Sequence, residues 1–228
     1  MSNNQPGALA LVGSGEYLPE AQALEAELLR FGISRGKANT YIQIPTAAGK
    51  EGEDRLDFWR QRGADQAERI GCEVKYLPVL TREDAHNQSW IEEIGTAGLI
   101  YFSGGDPVHL ADVFRDTPMW QAIMKAWREG ASLAGCSAGA MAFGGTIMGI
   151  RKSQHAAGLN LLPGIEVIPH YDKMLGWLPD RVTSFIARGV SDATLVGIDE
   201  NTALVYTDAW RTFGRGNVHV LRGVLDIA

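Results

Sequence analysis

Short apolar runs alternate with longer amphipathic stretches along most of the chain. The runs are ALALVG (8–13), YIQIP (41–45), VKYLPV (74–79), GLIYF (98–102), ASLAG (131–135), IEVIP (165–169) and ATLVGI (193–198). Runs this short and this continuous suit strands buried on both faces, as in a parallel sheet. Between them, PEAQALEAELLRFGI (19–33), DRLDFWRQRGADQAERIG (54–71) and PMWQAIMKAWREG (118–130) repeat their apolar positions at helical spacing. The alternation predicts an α/β fold of three layers, α/β/α, with a mainly parallel central sheet. Ligands in such sheets gather beyond the carboxyl ends of the strands.

The pattern changes in VGIDENTALVYTDAWRTFGRGNVHVLRG (196–223), where short strands follow one another through turn residues. This predicts a C-terminal β-hairpin or meander extending one edge of the sheet. The least regular stretch is GGTIMGIRKSQHAAGLNLLPG (144–164), a loop of functional length. No repeat, low-complexity tract or linker interrupts the chain, and 228 residues suit a single domain over 1–228.

Composition narrows the function. A net charge of -6 and a pI near 5.4, without clustered Lys or Arg, exclude nucleic acid as partner. The opening MSNNQPGALALVGSGEY has no basic segment, and its apolar run is too short for a signal peptide or a membrane span, so a cytoplasmic location without membrane association is expected. The two cysteines, Cys72 and Cys136, have no metal-ligand spacing and read as reduced thiols; no metal and no cofactor are expected.

Three runs end in glycine-rich or small-residue loops. In VGSGEY (12–17) the third glycine of a dinucleotide loop is replaced by Leu18, and no phosphate-binding Lys follows. GCSAG (135–139) fits G-x-S-x-G, a strand-to-helix elbow whose central residue, Ser137, stands at the apex of a strained turn. The Ala138 N–H then faces an oxyanion hole, and Cys136 turns into the packing. Cys136 as a thiol nucleophile, or a tight turn without chemistry, are the competing readings. SGGDP (103–107) can complete the hole through the N–H groups of Gly105 and Asp106, or form a helix start capped by Asp106; both roles are compatible. A serine needs a base, and of five histidines His170 stands at the carboxyl end of an apolar run. His155, in the irregular stretch, is its competitor.

The ordered landmarks IPTAAG (44–49), GLIYFSGGDPVHL (98–110), LAGCSAGAMAFGG (133–145), GLNLLPGIEVIPHYD (158–172) and LVGIDENTALVY (195–206) resemble the cyanophycinase and dipeptidase E group of serine peptidases. That group shares the flavodoxin-like fold of class I glutamine amidotransferase domains. The resemblance implies Ser137 as nucleophile, His170 as general base, and an oxyanion hole from the SGGD loop with Ala138. It implies acyl transfer on a small peptide or isopeptide with no cofactor.

Two departures matter. The acid that relatives carry downstream of the serine is missing from GIRKSQHAAG (149–158), which leaves Glu200, Asp199, Glu166 and Asp172 as candidates for the third member. Asp199 and Glu200 also suit a plain turn. The arginine-rich stretch that relatives place after the histidine is DKMLGWLPDR (172–181) here, so Lys173 and Arg181 are the cations expected to meet an acidic substrate. Asp106 would favour an amine-bearing one. The missing acid also suits a non-hydrolytic binding or regulatory protein of the same fold, and a symmetric homodimer is the default oligomer.

Overall fold

The computed structural model describes residues 5–149, 155–177 and 192–228. Five parallel strands form most of the main sheet: β1 (Leu9–Val12), β2 (Thr40–Ile44), β3 (Glu73–Tyr76), β4 (Leu99–Phe102) and β5 (Ser132–Cys136). Two later strands, β10 (Thr202–Tyr206) and β11 (Trp210–Gly214), add antiparallel beside β1, giving the order β11-β10-β1-β5-β4-β2-β3.

Alternation along each strand divides the apolar residues between two faces. Ala8, Ala10 and Val12 pack with Tyr41, Leu99, Tyr101 and Ala134 beneath α1 (Gln22–Ser34) and α2 (Glu53–Ile70). Leu9, Leu11, Ile42, Ile100, Phe102 and Leu133 point the other way, into the larger core. That core is covered by α3 (Gln88–Thr96), α4 (Pro107–Phe114), α5 (Pro118–Arg128) and the short α6 (Ala138–Ala142). Its centre is aromatic, with Phe102 edge-on to Phe114, Trp120 and Phe143 at centroid distances of 5.2, 6.4 and 5.6 Å. The architecture is the three-layer α/β/α arrangement with a mainly parallel sheet.

The helix ends follow local chemistry. Asn87, Asp106 and Thr117 each accept N–H bonds from the first turn of α3, α4 and α5, and Gly71 ends α2 in the left-handed region at φ 72°.

The last two apolar runs do not join the main sheet. Ile165–Ile168 (β8) and Thr194–Ile198 (β9) pair in parallel, and Val218–Arg222 (β12) closes a separate three-stranded sheet of order β12-β9-β8. The edge beside β1 is taken by β10 over four paired residues, and β9 lies between β8 and β12 instead. The C-terminal extension is therefore divided, with the hairpin β10–β11 on the main sheet and β12 on the small one. The irregular stretch contains a minimal pair, β6 (Thr146–Ile147) against β7 (Ala156–Ala157). A seventh helix, α7 (Tyr171–Trp177), follows β8. No helix among the described residues is long and apolar enough to cross a membrane.

Candidate active site

Three strand ends converge. β5 runs into Ser137, β8 into His170 and β9 into Glu200. Ser137 sits at φ 49°, ψ -104°, a backbone conformation that L side chains rarely adopt. Its two flanking glycines explain how the turn is tolerated. A Cβ on Gly135 would lie 2.5 Å from the Gly139 carbonyl carbon, and one on Gly139 would lie 2.9 Å from the Phe102 oxygen. The elbow is anchored by the Ser137 N–H donating to the Val12 carbonyl at 2.9 Å.

His170 is strained in the same way, at φ 51°. Its Nε2 lies 3.1 Å from Ser137 Oγ and its Nδ1 lies 3.0 Å from Glu200 Oε1. The pairing of β8 with β9 brings these two residues together: Ile168 is opposite Gly197, so the chain two residues past one meets the chain three residues past the other. Asp172, in the first turn of α7, accepts the Glu200 backbone N–H at 2.9 Å and holds the turn that carries the carboxylate. The arrangement is a hydrogen-bonded hydroxyl, imidazole and carboxylate, able to move a proton from Oγ to the ring and to stabilise the resulting imidazolium.

The other acids considered from the sequence lie elsewhere. Asp199 pairs with His219 at 3.1 Å and accepts the Asn217 N–H at 2.9 Å. Glu166 is buried and pairs with Arg222 at 2.8 Å. Asp172 binds backbone and not the imidazole. His155 makes no hydrogen bond to Ser137 among the described residues.

The oxyanion donors divide. Asp106, expected to offer its N–H, is turned away: that N–H donates to the Ala47 carbonyl at 2.7 Å, and its carboxylate caps α4 through Val108 and His109. A type of cap expected from the Asp-Pro order has thus taken the residue over completely. Gly104 N–H donates to Glu16 Oε1 at 2.8 Å. Gly105 and Ala138 retain N–H groups with no protein acceptor among the described residues. Gly105 is at φ 139°, and a Cβ there would lie 2.3 Å from the Ala47 oxygen, so only glycine fits.

Cys136 is fully buried, and its thiol donates to Glu16 Oε2 at 2.8 Å. Burial, reinforced by the Glu16 charge, pushes the thiol well above its ordinary pKa. The proton stays on sulfur, which leaves Ser137 as the accessible nucleophile of the pair.

A cleft of about 360 Å³ opens over Ser137 and His170. Its far wall is one face of α2, with Arg55, Phe58, Trp59 and Arg62. The Arg55 guanidinium lies 5.0 Å from the Phe58 ring centroid and pairs with Glu51 at 3.0 Å. Arg62 lies over the same ring at 4.6 Å and has no carboxylate partner among the described residues. Sequence reasoning missed this wall, although the spacing of 55, 58, 59 and 62 is a single helical stripe. Lys173 is exposed on α7 and does not line the cleft, and Arg181 lies outside the described residues. No group of three or more metal-binding side chains occurs among the described residues.

The loop after β1 is the second feature that sequence reasoning underrated. Its glycines serve close packing: a Cβ on Gly13 would lie 2.1 Å from the Asp199 oxygen, and one on Gly15 would lie 2.4 Å from Asn201 Oδ1. The loop thereby braces the turn that presents Glu200.

Known proteins share the fold and much of the sequence. A cyanophycinase from Trichormus variabilis is 28% identical over 214 residues, spanning 86% of this chain and 68% of that protein. A cyanophycinase from Synechococcus elongatus is 29% identical over 161 residues, 65% of this chain and 49% of that protein. The crystal structure of a peptidase from an acI-B1 Actinobacterium superposes with a TM-score of 0.93 at 46% identity, covering 98% of this chain and 93% of that one. A peptidase E-like protein from Listeria monocytogenes EGD-e shares the fold at a TM-score of 0.68 and 20% identity, over 92% of this chain and 100% of that one. The profile of Peptidase family S51 matches residues 9–211, and the chain belongs to that family of peptidases.

Proposed function

We propose that the protein is a serine-type peptidase or amidase acting on a small peptide or isopeptide through an acyl-enzyme on Ser137. The observation that carries this reading is the continuous hydrogen-bonded chain from Ser137 Oγ through His170 to Glu200, at 3.1 and 3.0 Å. His170 Nε2 takes the hydroxyl proton as Oγ attacks the scissile carbonyl, then returns it to the leaving amine; water repeats the sequence to release the acyl group. Glu200 holds the imidazole so that Nε2 faces the hydroxyl, and it stabilises the imidazolium. The Gly105 and Ala138 N–H groups receive the oxyanion. In this reading Glu200 takes the place of the carboxylate missing from the stretch after the serine, and its bond to His170 supports hydrolysis over a non-hydrolytic role.

The substrate carries an anionic group beside the scissile bond. Arg55 and Arg62 border the cleft, and Arg62 has a guanidinium available for a carboxylate in a site partly screened from water by Phe58 and Trp59. A panel of dipeptides and isopeptides tests both statements. Acidic substrates are hydrolysed best, and Arg62→Ala lowers their kcat/KM by roughly 10- to 100-fold while leaving neutral substrates nearly unchanged. Equal losses on both classes would assign Arg62 a structural role.

A further inference from the structure

The floor of the cleft holds a buried carboxylate that the Ser137–His170–Glu200 chain does not use. Glu16 is 6% exposed, and its two oxygens accept from different segments: Oε1 from the Gly104 N–H and Oε2 from the Cys136 thiol, each at 2.8 Å. Gly104 immediately precedes Gly105, and Cys136 immediately precedes Ser137 and Ala138. We propose that Glu16 is a positioning residue whose carboxylate locks the Ser103–Gly105 loop against the elbow and so sets the separation of the two oxyanion donors. This rests on the serine-peptidase reading above.

The need for such a lock follows from the topology. The β4–β5 ladder ends at the pair Phe102 and Gly135, so the sheet no longer fixes the spacing of the residues that follow. A carboxylate that accepts from both loops replaces the missing ladder, through charge-assisted bonds that strengthen away from water. Space around it is tight. A Cβ on Gly104 would lie 3.0 Å from Glu16 Oε1 and 3.4 Å from Ser137 Cβ, so the Gly104 backbone is wedged between the carboxylate and the nucleophile.

The lock also accounts for the thiol beside the serine. The position before Ser137 needs a small, buried hydrogen-bond donor whose proton does not leave. The raised pKa of Cys136 meets that requirement. A negative charge near the developing oxyanion opposes catalysis by itself. The arrangement is productive because Glu16 acts through geometry, and geometry can be separated from charge by substitution.

The experiment measures kcat and KM for p-nitrophenyl acetate, with the rate of phosphonylation by a fluorophosphonate probe, in wild type, four single variants and one double variant. Glu16→Ala lowers kcat roughly 10- to 100-fold with KM within about threefold, the signature of misplaced donors. Glu16→Gln keeps the acceptor for Gly104 but presents an amide to sulfur, a weak acceptor, and falls between the two. Cys136→Ala lowers kcat, and Cys136→Ser, which restores a donor, recovers most of the loss; this pair serves as the test should Glu16→Ala fail to fold. Added to Glu16→Ala, Cys136→Ala costs nothing further, because the contact it removes is already lost with the carboxylate. An active wild type with Glu16→Ala within about twofold of it in kcat, or with KM alone raised, overturns the positioning role and leaves the serine-peptidase reading intact. A folded wild type that neither hydrolyses the ester nor reacts with the probe overturns both.

Discussion

Ser137 and His170, the two residues that exchange the proton in the proposed reaction, both occupy the left-handed half of backbone space, at φ 49° and 51°. Tyr17 and Asn201, in the loops that brace them, do the same at 60° and 53°. Each such conformation costs about 1–3 kcal/mol and persists only where the surroundings over-determine it. Here the elbow glycines, the Val12 carbonyl and the Asp172 carboxylate do so. Glu200→Ala should therefore leave Ser137 in place yet lower kcat by roughly 100- to 10,000-fold, read against unchanged thermal unfolding. A kcat within about tenfold of wild type would remove Glu200 from the mechanism. At this scale the sequence was partly legible. Ser137 is announced by a local string, because the steric demand for small neighbours is itself local. Glu200 is not, because what distinguishes it from Asp199 is the parallel pairing of β8 with β9, which aims alternate side chains at His170 and at His219.

The loop–helix units after β1, β4 and β5 behave as interlocked parts. Asp106 illustrates the consequence of one side chain having two possible tasks. As an oxyanion donor it would face the cleft, yet the Pro107 helix start draws its carboxylate to Val108 and His109 and its N–H to Ala47. Asp106→Ala should thus cost about 1 kcal/mol of stability, the loss of an N-cap, measured by denaturant unfolding, while kcat changes little. A large fall in kcat without loss of stability would instead place Asp106 at the reacting centre. Gly105→Ala should show the opposite balance, since a methyl group 2.3 Å from the Ala47 oxygen forces the donor loop to shift. The strands of the main sheet were legible, because buried parallel strands read as continuous apolar runs, whereas α3, α7 and the β6–β7 pair were not. The sheet to which β8 and β9 belong was not, because which strand lies beside β1 is a matter of long-range pairing that no local pattern encodes. The α2 wall escaped for a related reason. Its arginines and aromatics read as an ordinary solvated face until the fold sets them opposite Ser137.

Across the whole molecule, the helical layer above the site contains a buried carboxyl that links stability to pH. Glu25, in the first turn of α1, is fully buried and accepts the Tyr17 N–H and the Tyr41 hydroxyl at 3.0 Å each. Burial raises its pKa from 4.5 to about 7 despite those bonds. The folded state holds this proton more tightly than the unfolded chain, so the contribution of Glu25 to stability is greatest below pH 4.5, falls as pH rises to about 7, and is constant above. Relative to wild type, Glu25→Gln should gain roughly 3 kcal/mol in unfolding free energy across that window. A difference independent of pH would mean that Glu25 ionises normally. Glu25 also holds the backbone of Tyr17, the neighbour of Glu16 in the cleft floor.

The central claim is that Ser137 is the nucleophile, and the most direct measurement is the intact mass and peptide map of the folded protein after reaction with a fluorophosphonate. The account predicts a single adduct, located on Ser137, absent in Ser137→Ala and formed more slowly in Cys136→Ala. A folded wild type that gains no mass, or an adduct that survives Ser137→Ala, would contradict it.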